Sequence, residues 1–465
     1  MPSWAGRRTL INSVALSILI HTMSSFPIPN KVCDKMDGLT RRFWWKPNKL
    51  EGRFLAWKSW GSLCCPSSVG GLGFKKIKSL NSALLAKLAW MIASKRDSLC
   101  IRILRAKYKV KEDWLRTEAA RHASPIWKAI EKAREVVRKG ACFIIGDGES
   151  VDVWLDPWVP WIDGFTPSPK DKSIVQSEMK VAQLIDQDHR AWRTAIALDT
   201  FNPISANVIL SIPIPARPSP DKLMWIPDSK GLFSVKLAYK KLLPSTLSQD
   251  TIGINWAKLW KIRVPERIKM FLWSVATNVL STKENLMSRL DIPEPWCVLC
   301  DQEVESVSHL FFRCSAAKAL WFAACWGFKS EEVQLAHVWD ITKLILEPPA
   351  SLCQPHDLWL VSLKMAFTLE EIWCIRNAVI HQKGPIDIQT AVDRIKAKFK
   401  ECANVFSKPQ ASLTAQPVIQ WSPPPLGFIK INVDAAIAQN NLAIAVVARN
   451  ENGYVLKAWS KLLPK

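Results

Sequence analysis

Apolar residues in the first third of the chain recur at the three-and-four spacing of helices. Val32, Met36, Leu39 and Phe43 form one stripe, and Ile77, Leu80, Leu84, Leu88 and Met91 form a second. Between them CCPSSVGGLGF (64–74) breaks the period and reads as a loop. No Gly-Lys-Ser/Thr follows it, so it is not a phosphate-binding loop. Ser124 as N-cap, Pro125 at the first helical position and Gly140 after Lys139 frame a further helix. TLINSVALSILI (9–20) reads as a buried helix. It lacks the small-residue cleavage site of a secretory leader, and no run reaches the ~18 apolar residues of a membrane span.

The period then changes. ACFIIGDGESVDVW (141–154) predicts a hairpin turning at Asp147-Gly148, and KLMWIPDSKGLFSVKLAY (222–239) a second turning near Asp228–Gly231 before a helix. Proline-rich stretches at 156–169 and 203–220 read as connectors. Helical patterns resume on either side of Pro265, and Ser281 with Glu284 forms a capping box opening a helix that ends near Leu290. A long helix over 357–381 and a shorter basic one over 391–406 lead to a linker at 408–427. Beyond it FIKINVDAAI, LAIAVVARN and YVLKAWS are strand-like. The expected fold is mostly α and multi-domain, with a small zinc-binding module and an incomplete C-terminal α/β fragment. The expected divisions are 1–140, 141–250, 251–335, 336–407, the linker 408–427, and 428–465.

With 465 residues, 48% of them hydrophobic, the chain can bury several cores. Its 12 cysteines are no disulfide framework. Cys100, Cys142, Cys325, Cys353, Cys374 and Cys402 read as small buried hydrophobes, which fits a reducing compartment, cytosol or nucleus, and not secretion. The net charge of +22 is uneven: residues 1–139 carry 28 Lys/Arg against 9 Asp/Glu, the remainder 35 against 32. A positive field so placed favours polyanions through counterion release. The candidate nucleic-acid contacts are Lys75, Lys76, Lys78, Arg102, Arg105, Lys107, Lys109 and Lys111.

One constellation carries specific chemistry. Cys297-x2-Cys300-x8-His309-x4-Cys314 offers two thiolates from a tight turn and a His/Cys pair to complete a tetrahedron. Four protein ligands leave no position for water, so the expected cofactor is one structural Zn²⁺. Asp301, Glu303 and Glu305 against Arg313 alone give the loop a charge of −2, which argues against a direct grip on phosphates.

WAKLWKIRVPERIKMFLWSVATNVLSTKENLMSRL (256–290), CVLC, SHLFFRC and Trp321 together resemble the reverse-transcriptase zinc-binding domain of plant LINE-type retroelements. AGRRTLINSV (5–14), GGLGF (70–74), IGDGESVDVWLDPW (145–158), DSKGLFSVKLAY (228–239) and IWCIRNAVI (372–380) are similar to the same family, so the resemblance covers essentially the whole chain. It implies an order of parts: polymerase palm, thumb-like helices, connecting region, zinc module, ribonuclease H. No Asp-Asp pair occurs in the 465 residues, so a two-metal polymerase palm is not expected here. KINVDAAIAQNNLAIAVVARNENGYVLKAWS resembles the first three strands of ribonuclease H, with Asp434 at the position of the first metal ligand and Ala435 where the family usually has Gly. The family draws its other carboxylates from later elements, and Glu451 sits in a turn, so Asp434 reads as vestigial and Mg²⁺ would serve only a complete nuclease. The expectation is a zinc-containing binding protein for RNA or DNA, weakly sequence-selective and not an active enzyme, with no membrane partner. The alternatives are an RNA–DNA hybrid ribonuclease, and a zinc-scaffolded module contacting a complete reverse transcriptase or another protein.

Overall fold

A computed structural model of the chain describes residues 3–48, 52–111, 114–116, 123–171, 179–243, 253–291, 294–349, 357–381, 386–407, 422–437 and 441–464. It divides into two units, Met1–Lys400 and Glu401–Lys465.

The first unit begins with α1 (Trp4–Leu10), a π turn (Ile11–Ala15) and α2 (Leu16–Ser25). The segment 9–20 is helical as its pattern suggests, but it is not buried. Ile11 and Leu16 face inward while Leu10, Val14, Ile18 and Ile20 are exposed, because the helix lies as an outer layer with one face on α5 (Ile77–Ala93). In α3 (Asn30–Trp45) the buried residues are Cys33 and Trp44, and Val32 and Leu39 face outward. The face is set by Trp44, which packs edge-on against Phe74, and by Asp37, whose carboxylate accepts the Ile77 N–H at 3.2 Å. The short α4 (Trp60–Cys64) precedes the glycine-rich loop. The central helix α5 is buried nearly all round, the signature of a core helix. On it Asn81 accepts the Ile28 N–H and donates to the carbonyls of Met23 and Phe26, fixing the link between α2 and α3. Then come α6 (Leu99–Lys107) and α7 (Pro125–Arg138), the latter capped by Ser124 as the sequence suggests.

Neither expected hairpin forms a local strand ladder, although the turn near Asp228–Gly231 is present, the Trp225 N–H donating to the Gly231 carbonyl at 3.0 Å. Strand β1 (Ala141–Ile144) pairs antiparallel with the distant β4 (Lys222–Trp225), Ala141 opposite Trp225. The Asp147-Gly148 reversal is real but wraps around Asp221, which accepts the N–H groups of Gly146, Gly148 and Ser150. Gly140 is needed for close approach: a Cβ there would lie 2.7 Å from the Trp225 ring. Between these strands β2 (Ile185–Asp186), β3 (Ala191–Trp192), α8 (Thr194–Thr200) and α9 (Pro203–Leu210) enclose a second core around Val151, Trp158 and Phe201. After β4, α10 (Val235–Leu242) returns to α5, and Leu223, Trp225, Ala238 and Tyr239 complete the first core. That core therefore draws on both sides of residue 140.

The rest of the first unit is α11 (Trp256–Lys261), α12 (Glu266–Ala276), α13 (Lys283–Met287), α14 (Ser315–Ala324), α15 (Trp339–Leu346) and α16 (Leu358–Ile380), followed by α17 (Ile388–Ser407). The N-cap of α13 is Thr282, one residue past the expected Ser281. Helices α12, α14 and α15 pack against α16, burying Leu272, Phe311, Leu320, Trp321, Ile345 and Phe367. Three tryptophans of α11 and α12 grip the loop at 67–70. Trp260 Nε1 donates to the Ser67 carbonyl at 3.0 Å, Trp273 Nε1 donates to that of Gly70 at 2.9 Å, and Trp256 lies where a Cβ on Gly70 would stand. Gly70 has φ of +87°, so a side chain there is excluded twice over.

Of the cysteines read as buried, Cys142 and Cys325 are, whereas Cys100 and Cys374 are exposed, Cys402 is half-buried and Cys353 lies outside the described residues. Apolar spacing alone does not say which helix face meets a neighbour.

The second unit holds a three-stranded antiparallel sheet, β5 (Lys430–Ile437), β6 (Asn441–Arg449) and β7 (Val455–Pro464), in that order. These are the three strand-like segments of the sequence. Most of the linker, 408–421, lies outside the described residues.

Candidate metal centre

The four spacing-predicted ligands converge. One ligand atom from each of Cys297, Cys300, His309 and Cys314 lies within 4.8 Å of every other, the one such cluster among the described residues. Short-range geometry builds both halves. A bridge between Trp296 and Val304 brings the strands of the loop together, and the Cys297 N–H donates to the Glu303 carbonyl at 2.8 Å. Inside it the Asp301 N–H donates back to Cys297 at 2.8 Å, with Asp301 left-handed at φ 53°, so both thiols point the same way. The other half is a π turn, His309–Arg313, opened by Ser306, whose hydroxyl accepts the His309 N–H. The Cys314 N–H donates to the His309 carbonyl at 2.8 Å. The x4 spacing is thus one π turn, which puts ring and thiol on one side.

Two of the distances match the edges of a tetrahedral zinc site. Zn–S and Zn–N bonds of about 2.3 and 2.0 Å place two thiolates about 3.8 Å apart, and a thiolate and an imidazole nitrogen about 3.5 Å apart. Cys297 and Cys314 sulfurs are 3.9 Å apart, and Cys300 Sγ is 3.3 Å from His309 Nε2. The hydrogen bond from Cys297 lowers the pKa of Cys314, and the N–H groups of Ala316 and Ala317 at the start of α14 add to it. The same hydrogen bond, with burial, raises Cys297. The far side of the imidazole is also fixed. Nδ1 lies 2.9 Å from Glu303 Oε2, which leaves Nε2 facing the thiols, as carboxylates commonly orient metal-binding histidines.

Two of the loop's three carboxylates have partners, and one of them is buried. Glu303 holds His309, and Glu305 is fully buried against Arg376 of α16, with Arg376 Nη2 at 2.6 Å from Oε1. Glu305 also accepts the Lys283 N–H at the start of α13, and Arg376 donates to the Ser281 carbonyl. A count of charges along the loop missed both roles. For Glu303 a local signal existed, a carboxylate six residues before the histidine; for Arg376, 71 residues from its partner, none did.

The expected basic contacts divide. Arg105 and Lys111 line one cleft of about 330 Å³ together with Lys95, Arg116 and Lys180, although Arg116 is paired with Asp156. Lys78, Arg102, Lys107 and Lys109 are exposed on α5, α6 and the turn after it. Lys75 is half-buried with its ammonium 4.6 Å over the Tyr239 ring, and burial lowers its pKa; the Lys76 N–H donates to the Tyr239 hydroxyl. Asp434, exposed on β5, stands opposite Ala445, which is opposite Ser460.

A metal-capable Cys3His loop clamped to a helical bundle is the class that geometry defines, and comparison agrees. A family model described as zinc-binding in reverse transcriptase matches residues 233–321. The Arabidopsis thaliana "Putative ribonuclease H protein At1g65750" is 31% identical over 338 residues, 69% of this chain and 52% of its own length. The "Uncharacterized mitochondrial protein AtMg00310" of the same plant is 31% identical over 145 residues, 31% of this chain and 94% of that protein. The chain spans about half the length of the first of these relatives. It belongs to the retrotransposon-derived family that joins a reverse-transcriptase zinc-binding domain to a ribonuclease H-like region.

The matched span ends at Trp321, before α15, α16 and Arg376. Replacing Arg376 by Ala leaves Glu305 charged and buried, and urea unfolding should show a loss of about 3–5 kcal/mol. Arg376→Ala combined with Glu305→Gln should recover part of it.

Proposed function

We propose that this chain is a zinc-containing nucleic-acid-binding protein of retroelement origin, working with reduced thiols inside the cell and without nuclease chemistry of its own. The observation that carries the zinc is the convergence of three thiols and one oriented imidazole within 4.8 Å of one another. Cys297, Cys300, His309 and Cys314 would hold the ion, which supplies a fixed tetrahedral centre and no open coordination position. Structural zinc contributes about 10–16 kcal/mol of apparent binding free energy in small modules. Purified protein should therefore contain one zinc per chain by elemental analysis, and Cys297→Ser or Cys314→Ser should lose it together with local helix content. Near-zero zinc in protein never exposed to a chelator defeats the assignment.

Support for nucleic acid comes from the charge skew and from the basic cleft holding Arg105 and Lys111. Because the first core spans residue 140, the test belongs in the whole chain. With about 6 phosphate contacts, log affinity for a duplex should fall with log salt at a slope near −5. Substituting Gln for Lys78, Arg102, Lys107, Lys109 and Lys111 together should flatten that slope; an unchanged slope places the contacts elsewhere.

For hybrid cleavage, the reading rests on the carboxylates that the three described strands bring to Asp434. Asp434 has Ala445 and Ser460 beside it across the sheet, and Glu451 lies in the turn after β6. Two-metal hydrolysis needs carboxylates that hold two cations about 3.5–4 Å apart, which a single Asp cannot do. The 465-residue chain should leave an RNA–DNA hybrid intact with Mg²⁺ or Mn²⁺, wild type and Asp434→Asn alike. Cleavage abolished in the Asn variant would restore the ribonuclease reading.

A further inference from the structure

The segment 256–270 carries Lys258, Lys261, Arg263, Arg267 and Lys269 against Glu266 alone. Its cations have different fates. Lys258 pairs with Glu347 at 3.1 Å, Lys269 with Glu266 at 2.7 Å, and Arg267 with Glu370. Lys261 and Arg263 are exposed, and among the described residues neither has a carboxylate partner. Both line a groove of about 470 Å³ between the α11–α12 connection and the start of α16. Its wall includes Glu347, paired with Lys258, and the half-exposed indole of Trp359, with the Arg263 guanidinium over the ring 5.6 Å from its centroid.

The geometry points to this groove as a binding site for single-stranded nucleic acid. Lys261 and Arg263 meet phosphates, the exposed Arg263 side chain swinging off the Trp359 ring so that the ring can take an unpaired base. The inference rests on the nucleic-acid reading above and moves part of the contact into the zinc-binding region, where the charge total is close to balanced. Two cations beside an accessible aromatic ring are the combination that grips unpaired strands, because every base has a face to stack. A duplex keeps its base faces covered and could use only the cations. An acidic peptide would likewise need the cations and not the ring.

The test uses the full chain with a fluorescein-labelled 20-nucleotide oligouridylate and a hairpin duplex, read by anisotropy across a salt series. Trp359→Ala should weaken single-strand binding about tenfold and leave duplex binding nearly unchanged, while Trp359→Phe keeps most of the affinity. Lys261→Gln with Arg263→Gln, both at exposed positions, should make the single-strand salt slope shallower by about 1.4. Wild-type affinity and slope in all three variants would overturn the groove while leaving the broader reading intact. Equal losses on strand and duplex in Trp359→Ala would remove the stacking role. Polyglutamate that displaces the strand and binds Trp359→Ala as well as wild type would reassign the groove to a protein partner. Wild-type protein that binds neither probe would end both the broader reading and this one.

Discussion

The zinc-binding region depends on one buried ion pair. Taking Glu305 and Arg376 out of water costs several kcal/mol per ion, and their attraction offsets that cost only where the remaining hydrogen-bonding capacity is filled. Here it is largely filled. The carboxylate also receives the Lys283 N–H, and the guanidinium also reaches the Ser281 carbonyl and lies 4.9 Å from the Trp373 ring. The pair thereby ties three things to one point: the return arm of the metal loop, the start of α13 and the last turns of α16. The ligands set the shape of the loop; the ion pair sets where the loop sits.

What the sequence revealed was what short-range geometry decides. Cys297-x2-Cys300 is one tight turn and His309-x4-Cys314 is one π turn, so the pairs of residues that converge could be read from spacing before any fold was known. The cap of α7, the long α16 and the three C-terminal strands were legible for the same reason. What failed was the choice of distant partners. The Asp147-Gly148 turn was there, but β1 pairs with β4 because Trp225 packs over Gly140 across 85 residues, which no local pattern encodes. The stripe on α3 marks a helix but not its inward face, where Cys33 and Trp44 are the buried residues.

Charge reading shows the same division. The field of the first 139 residues is a sum and survives folding, although Lys75 is drawn against an aromatic ring. The acidity of the metal loop is only partly a surface property: Asp301 and Glu303 are exposed, Glu303 while orienting an imidazole, whereas Glu305 is buried against an arginine. Residues that look like an electrostatic signature in one dimension can be internal fittings in three.

The clasp between the 67–70 loop and the tryptophans of α11 and α12 bears on how copies of such an element can break and rejoin. The motifs involved lie nearly 200 residues apart in sequence, yet each supplies what the other leaves unfinished. A breakpoint between them would strand indoles on one side and bare carbonyls on the other.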